Sequence, residues 1–240
     1  MGILCILTNP FLLEVLPMRS RTVVISTLLL VPVLALCGCG ANPEPATIEP
    51  EEGARVVVVH EVADFDEWHT RFAEQVTSRL DMGIEEELIL QGESMSNLVF
   101  LLMSARDSVS AADWLQSPAT ARSMEFSGVK GELITDILAP GIVYPDTPEY
   151  ETRLVVRHPV SDFDRWYSTF RGHERERLDV GVHTMLVTHP LGDPNDVYMM
   201  FGVSDPERVA EYMASDLLGL AMRLAGVTAQ PQAFFVNVVE

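Results

Sequence analysis

The sequence predicts an α+β protein built from two β-α-β-β-α-β units in tandem, and three observations predict it. First, "HEVADFDEW" from His60 to Trp68 returns as "HPVSDFDRW" from His158 to Trp166, 98 positions later. Sliding the chain against itself by that interval aligns 55–129 with 153–227 without a gap, through pairs such as Arg79/Arg177, Gly83/Gly181, Asn97/Asn195 and Met124/Met222. A period of this length is one domain's worth of chain and too long for a solenoid repeat, so it marks a duplication. Second, both copies open on β-branched runs, "RVVVVHEV" and "TRLVVRHPV", which suit buried strands. Third, each run is followed by apolar residues three or four apart, the spacing of one helix face.

The elements follow in order. Asp64 and Asp162 stand where a side-chain oxygen caps a helix, and Asp66 and Asp164 add negative charge to its first turn, near unpaired backbone N–H groups. Phe65, Trp68, Phe72 and Val76 form the buried stripe of the first copy, and Phe163, Trp166 and Phe170 that of the second. Gly83 and Gly181 stop the helix ahead of a second strand. The turn "LGDPND" leads to a third strand, "NLVFLLM" or "VYMMFGV". "SDPERVAEYMAS" then opens a helix with Asp205 as cap and Pro206 at the first position. "DLLGLAMRLAG" continues helically to Gly226, and "AFFVNVV" is the last strand. This is the order of the ferredoxin-like split unit, an antiparallel sheet covered on one face by helices. The units are expected at 55–138 and 152–240, joined by a proline-rich linker at 139–151.

The first 54 residues read differently. "MRSRTVVISTLLLVPVLALCGC", from Met18 to Cys39, runs from arginines through an apolar stretch to small residues, the order of a secretory signal, with Met18 an alternative start to Met1. Its end, Leu36-Cys37-Gly38-Cys39, resembles the lipobox of bacterial lipoproteins. That resemblance implies a signal peptide over 1–39, a lipid on Cys39 and a membrane-anchored position in the cell envelope, facing outside the cytoplasm. Gly40 and Ala41 are not acidic, which fits the outer membrane in a two-membrane host. Residues 40–54 are rich in Pro and Glu and are expected to be a disordered tether. Cys5, Cys37 and Cys39 all lie at or before the processing site, so no disulfide or thiolate ligand is expected beyond it.

A net charge of −19 opposes binding to nucleic acid or anionic lipid. No Gly-rich phosphate loop, nucleophile elbow or HExxH helix occurs, and "HERER", His183 and His189 lack metal-ligand spacing, so no cofactor and no metal are expected.

"HPVSDFDRW…F…H…R…G", "DPNDVYMMF" and "DLLGLAMRLAGV" resemble the small dimeric α+β barrel proteins related to antibiotic-biosynthesis monooxygenases. The resemblance implies that the two units pair sheet against sheet, as an internal pseudo-dimeric α+β barrel, and it admits cofactor-independent oxygenase chemistry. The first unit departs from the pattern: Gln75 replaces His173, and "SPATARSMEFSG" is a looser last helix.

Several residues are candidates for a pocket between helices and sheet. His60 and His158 share a strand face with Val56/Val58 and Leu154/Val156; each is either a ligand contact or base, or a hydrogen-bonded core histidine tying the strand to the helix cap. Trp68 and Trp166 are core residues or ligand platforms. His173 extends the buried stripe, and Arg79 and Arg177 follow one turn on, to meet either a ligand carboxylate or a helix-end acid such as Asp81 or Asp179. Tyr198 adds a hydroxyl if it faces inward, and Asn97 and Asn195 serve turn geometry. The expected function is binding of a small apolar or amphipathic molecule; the alternatives are an oxygenase acting on such a molecule and a non-catalytic interaction scaffold. Homo-oligomers beyond the internal pair stay open.

Overall fold

A computed structural model describes residues 53–145 and 147–239. Cys39, the signal segment and the tether up to residue 52 lie outside the described residues, and Ala54, expected to end the tether, already opens the first strand.

The first unit runs β1 (Ala54–Val62), α1 (Phe65–Glu74), α2 (Val76–Asp81), β2 (Ile84–Gly92), β3 (Leu98–Ala105), α3 (Ser108–Gln116), α4 (Pro118–Phe126) and β4 (Val129–Leu138). After a short β5 (Ile142–Val143), the second unit runs β6 (Thr152–Pro159), α5 (Phe163–Gly172), α6 (Glu174–Asp179), β7 (Val182–Thr188), β8 (Asp196–Val203), α7 (Pro206–Met213), α8 (Asp216–Ala225) and β9 (Gln232–Val238). The repeat holds residue for residue. Arg55 faces Ser104 as Arg153 faces Gly202, and His60 faces Val99 as His158 faces Val197. Even the bulge recurs, between Glu86 and Leu88 in β2 and between Thr184 and Leu186 in β7. The 98-residue register continues past its last obvious match into the final strands, where Leu138 and Val236 face Arg55 and Arg153.

The caps read from the sequence are present. Asp64 accepts a hydrogen bond from Glu67 N at 2.9 Å and Asp162 from Arg165 N at 2.8 Å, while Asp205 accepts from Arg208 N at 3.1 Å. The first helix is shorter than its apolar stripe. It ends before Gln75, and Val76, expected in the buried stripe, opens α2 with 45% of its surface exposed. The break is held by the arginine that follows: Arg79 Nη1 donates to the Phe72 carbonyl at 2.5 Å, and Arg177 Nη1 donates to the Phe170 carbonyl at 2.6 Å. Each carbonyl also accepts from the backbone N–H three residues on, Gln75 or His173, so the arginine adds a second bond at the helix end.

All nine strands lie in one sheet of order β4-β1-β3-β2-β9-β6-β8-β7-β5. Each unit contributes the ferredoxin-like order, and the units join where Leu90–Gly92 pair with Val238–Val236. The two ends of the sheet also meet. Leu138 bridges Pro190, Ala139 N donates to His189 O at 2.9 Å, and β5 pairs with Val187 and Leu186 of β7. The sheet is therefore a closed α+β barrel, and its second seam is the weaker because Pro140 and Pro190 lack an N–H. The stretch expected to be a linker supplies part of that seam.

Strand alternation divides the apolar residues among three cores. Val56, Val58 and Val62 pack with Trp68, Phe72 and Trp114 beneath the first unit's helices. Leu154, Val160 and Val197 pack with Trp166 and Val209 beneath the second's. Val57, Val59 and Phe100 of the first unit meet Val155, Tyr198 and Val236 of the second inside the barrel. The last core belongs to neither unit alone, so the duplication is the means by which each sheet covers its second face.

Candidate functional site

The helix-facing side of β1 carries Val56, Val58 and then His60, which ends up 3% exposed beneath α1. Its ring meets Trp68 edge-on with centroids 5.6 Å apart. Neither Nδ1 nor Nε2 makes a hydrogen bond, so the expectation of a histidine tied to the helix cap does not hold. Burial pushes the imidazole down to about 4, and it is neutral at pH 7. His158 repeats the arrangement: 4% exposed, 5.6 Å from Trp166, without a partner at Nδ1, and lowered to about 4 for the same reason.

The two units carry different side chains above the histidine. In the first, a cavity of about 50 Å³ opens between the helices and the sheet. His60, Trp68, Phe72 and Trp114 form its inner wall, and Gln75, Thr120, Ser123 and Ser127 supply polar groups opposite. Gln75 donates to Ser127 Oγ at 3.2 Å and accepts from the Ser123 hydroxyl, a chain that ties the α1–α2 break to α4. Ser78 and Ala119, both exposed, form the mouth. In the lining, Thr120 of α4 stands where the repeat has Leu218 in α8, a smaller side chain on the same helix position. The looseness noted in "SPATARSMEFSG" is the sequence signal of that difference. Trp114, Gln75, Thr120, Ser123 and Ser127 are site residues that motif reasoning passed over.

Of the other expected site residues, Arg79 reaches the cavity and the rest are placed elsewhere. His173, at the α5–α6 break, turns Nδ1 to the Thr169 carbonyl at 2.8 Å. Arg79 lines the cavity but is committed to structure, with its guanidinium 3.6 Å from the Phe72 ring centroid and Nη2 3.8 Å from Glu86. Neither Asp81 nor Asp179 is the acid that meets these arginines. Asn97 and Asn195 do more than shape turns: their carbonyls accept from Val62 N and Val160 N, and Asn195 Oδ1 accepts from Phe163 N at 3.0 Å, fixing the start of α5.

Tyr198 faces inward, but into the barrel rather than the helix–sheet space. Its hydroxyl donates to Asp136 Oδ2 at 2.5 Å, across the boundary between units. Arg157 lies over the ring at 4.8 Å, with Nη2 2.5 Å from Asp196 and 3.4 Å from Asp136. Desolvation and the Asp136 carboxylate push the phenol well above its ordinary range. The pseudo-equivalent residues are Val59, Leu98, Phe100 and Phe234, where two phenyl rings meet at 5.3 Å. One end of the barrel is thus polar and the other apolar.

Fold and site together define a class: a tandem ferredoxin-like protein closed into an α+β barrel, with a helix–sheet cavity over a neutral buried histidine. Solved structures share the architecture. An anthrone oxidase-like protein matches over 79% of this chain and 92% of its own, at 11% identity and a TM-score of 0.54. A provisionally assigned monooxygenase from Lactobacillus acidophilus NCFM matches over 78% and 94%, at 8% identity and a TM-score of 0.50. A provisionally assigned chlorite dismutase matches over 78% and 95%, at 14% identity and 0.50. These spans exceed one unit, so the likeness is in the two-unit barrel, and at such identities it is a likeness of fold. No family model and no curated protein matches the sequence.

Proposed function

We propose that the protein is a lipid-anchored envelope protein that binds a small apolar or amphipathic molecule in the helix–sheet cavity of its first unit. The observation that carries this reading is His60, buried at the cavity wall with both ring nitrogens unpartnered. A buried polar group without a partner costs free energy, which a ligand offering one acceptor and one donor recovers. A neutral imidazole supplies one donor and one acceptor. The aromatic wall takes an apolar body, and about 50 Å³ admits only a few non-hydrogen atoms, so the enclosed part is a small head group.

An imidazole at about 4 is a weak base at neutral pH, which favours binding over proton abstraction. The second reading is a cofactor-independent oxygenase acting on the same ligand, which the names of the monooxygenase and oxidase-like neighbours suggest and the shared fold supports no further.

The test is native mass spectrometry of the protein isolated from its own envelope. A bound small molecule is expected in the wild type and lost in Ala119→Phe, which blocks the mouth without entering the core. A mass unchanged by that substitution overturns the cavity reading, and oxygen uptake with the released molecule separates binding from turnover. Cys39→Ser is expected to move the protein from the membrane fraction to the soluble one; retention on the membrane would rule out the lipid anchor.

A further inference from the structure

The duplication placed the same buried arginine in both units but kept the second-strand glutamate that pairs with it in only one. In the first unit, Arg79 is 6% exposed, stacks on Phe72, donates Nη1 to the Phe72 carbonyl and directs Nη2 toward Glu86 of β2. In the second, Arg177 is 7% exposed, lies 3.6 Å from the Phe170 ring centroid and donates Nη1 to the Phe170 carbonyl. The 98-residue register, bulge included, puts Thr184 of β7 where Glu86 stands in β2. Arg177 Nε and Nη2 make no hydrogen bond, and neither does the buried Thr184 Oγ1.

Those two nitrogens are one edge of the guanidinium, the edge whose parallel N–H bonds match the two oxygens of a carboxylate. This chain uses that edge elsewhere: Arg157 gives Nε to Asp196 Oδ1 at 3.2 Å and Nη2 to Oδ2 at 2.5 Å. A buried guanidinium with an unused edge carries the desolvation cost of its charge without the compensating bonds. Glu174 and Glu176 act on it through space, yet neither accepts a bond from Nε or Nη2. The remaining surroundings suit an organic acid: the Phe170 ring covers one face, and Tyr144 and Tyr212 are near enough to interact with the charge.

We propose that the second unit binds a small organic carboxylate at Arg177, with Nε and Nη2 holding the two oxygens, the Thr184 hydroxyl beside them, and the ligand supplying from outside the acid that Glu86 supplies within the first unit. The site is independent of the cavity over His60. It is enclosed, because the segment carrying Tyr144 crosses β7: Tyr144 N donates to Met185 O at 3.0 Å and Thr147 Oγ1 to Thr184 O at 2.7 Å. That cover explains why Thr184 is 5% exposed while the Glu86 side chain is 41% exposed.

The experiment is thermal unfolding of the full chain with acetate and with benzoate, each against sodium chloride at equal ionic strength. A saturable rise in Tm of about 3 °C is expected for the wild type with at least one acid. Arg177→Met should abolish the rise, and Thr184→Glu keeps the test open if that variant does not fold. Thr184→Glu leaves the arginine in place and supplies an internal carboxylate, so it should raise Tm without ligand and cancel the response to added acid. A wild type that responds to neither acid, or a Thr184→Glu variant that responds as the wild type does, overturns the proposal; the latter result would mean adventitious binding elsewhere.

Discussion

Acidification from pH 7 to pH 4 is expected to remove ~3 kcal/mol of stability for each of His60 and His158. Both side chains are almost fully buried and held at about 4 by desolvation, against 6.5 for an ordinary histidine. Between those values the unfolded chain binds the proton and the folded chain does not, so stability rises with pH across the window. The contribution is complete above pH 6.5 and lost as pH falls toward 4, the opposite of a histidine stabilised by an acidic partner. Urea unfolding at pH 7, 5.5 and 4 measures it. His60→Phe and His158→Phe should each flatten part of the slope, and the double variant most of it. An equally steep loss in the double variant would assign the acid sensitivity to carboxylates instead.

The architecture was legible because duplication writes every signal twice. A single "SDFDRW" admits a helix start; two in register, each after a β-branched run, leave little else for the chain to be. The barrel was legible only through the resemblance, since no local pattern says that Val57 and Val155 point at each other. What stayed hidden depended on contacts distant in sequence. The break at Gln75 has no glycine or proline to announce it, because the device that holds it is Arg79 reaching back to a carbonyl seven residues earlier. Residues 139–151 look like a spacer on their prolines alone, yet Ile142 and Val143 complete a seam of the sheet.

The candidate site divides along the same line. His60, Trp68 and Arg79 were identified from type and spacing, and the structure brings all three to one cavity. Its location in the first unit was not, because the polar residue that stands out by type, His173, lies in the second unit, where the first has Gln75. The lining of the cavity depends on side-chain volume as well as polar character, as with threonine at 120 where the repeat has leucine at 218. Tyr198 and Asp136 were separated for a similar reason, since a bond between β4 and β8 of different units exists only once the barrel closes.

That bond yields the second large effect. Asp136→Phe is expected to cost ~3 kcal/mol, because it leaves a buried phenol without an acceptor and takes a carboxylate from Arg157, which keeps only Asp196. Tyr198→Phe should cost less, ~1–2 kcal/mol, since Asp136 retains the Arg157 contact at 3.4 Å. The double variant rebuilds at this end the pair that Phe100 and Phe234 already form at the other, so it should recover most of the loss. The cycle of urea midpoints is then expected to show a coupling of ~3–4 kcal/mol, whereas additive losses would mean that the contact is geometric and energetically idle. The distinction bears on how a duplicated chain keeps its halves in order. With two apolar ends, the barrel faces of the units would be nearly interchangeable. In a pairing of like halves Asp136 would meet a second copy of Phe100, and Tyr198 a second copy of Phe234, so the buried carboxylate and phenol penalise any pairing but the one between unlike halves.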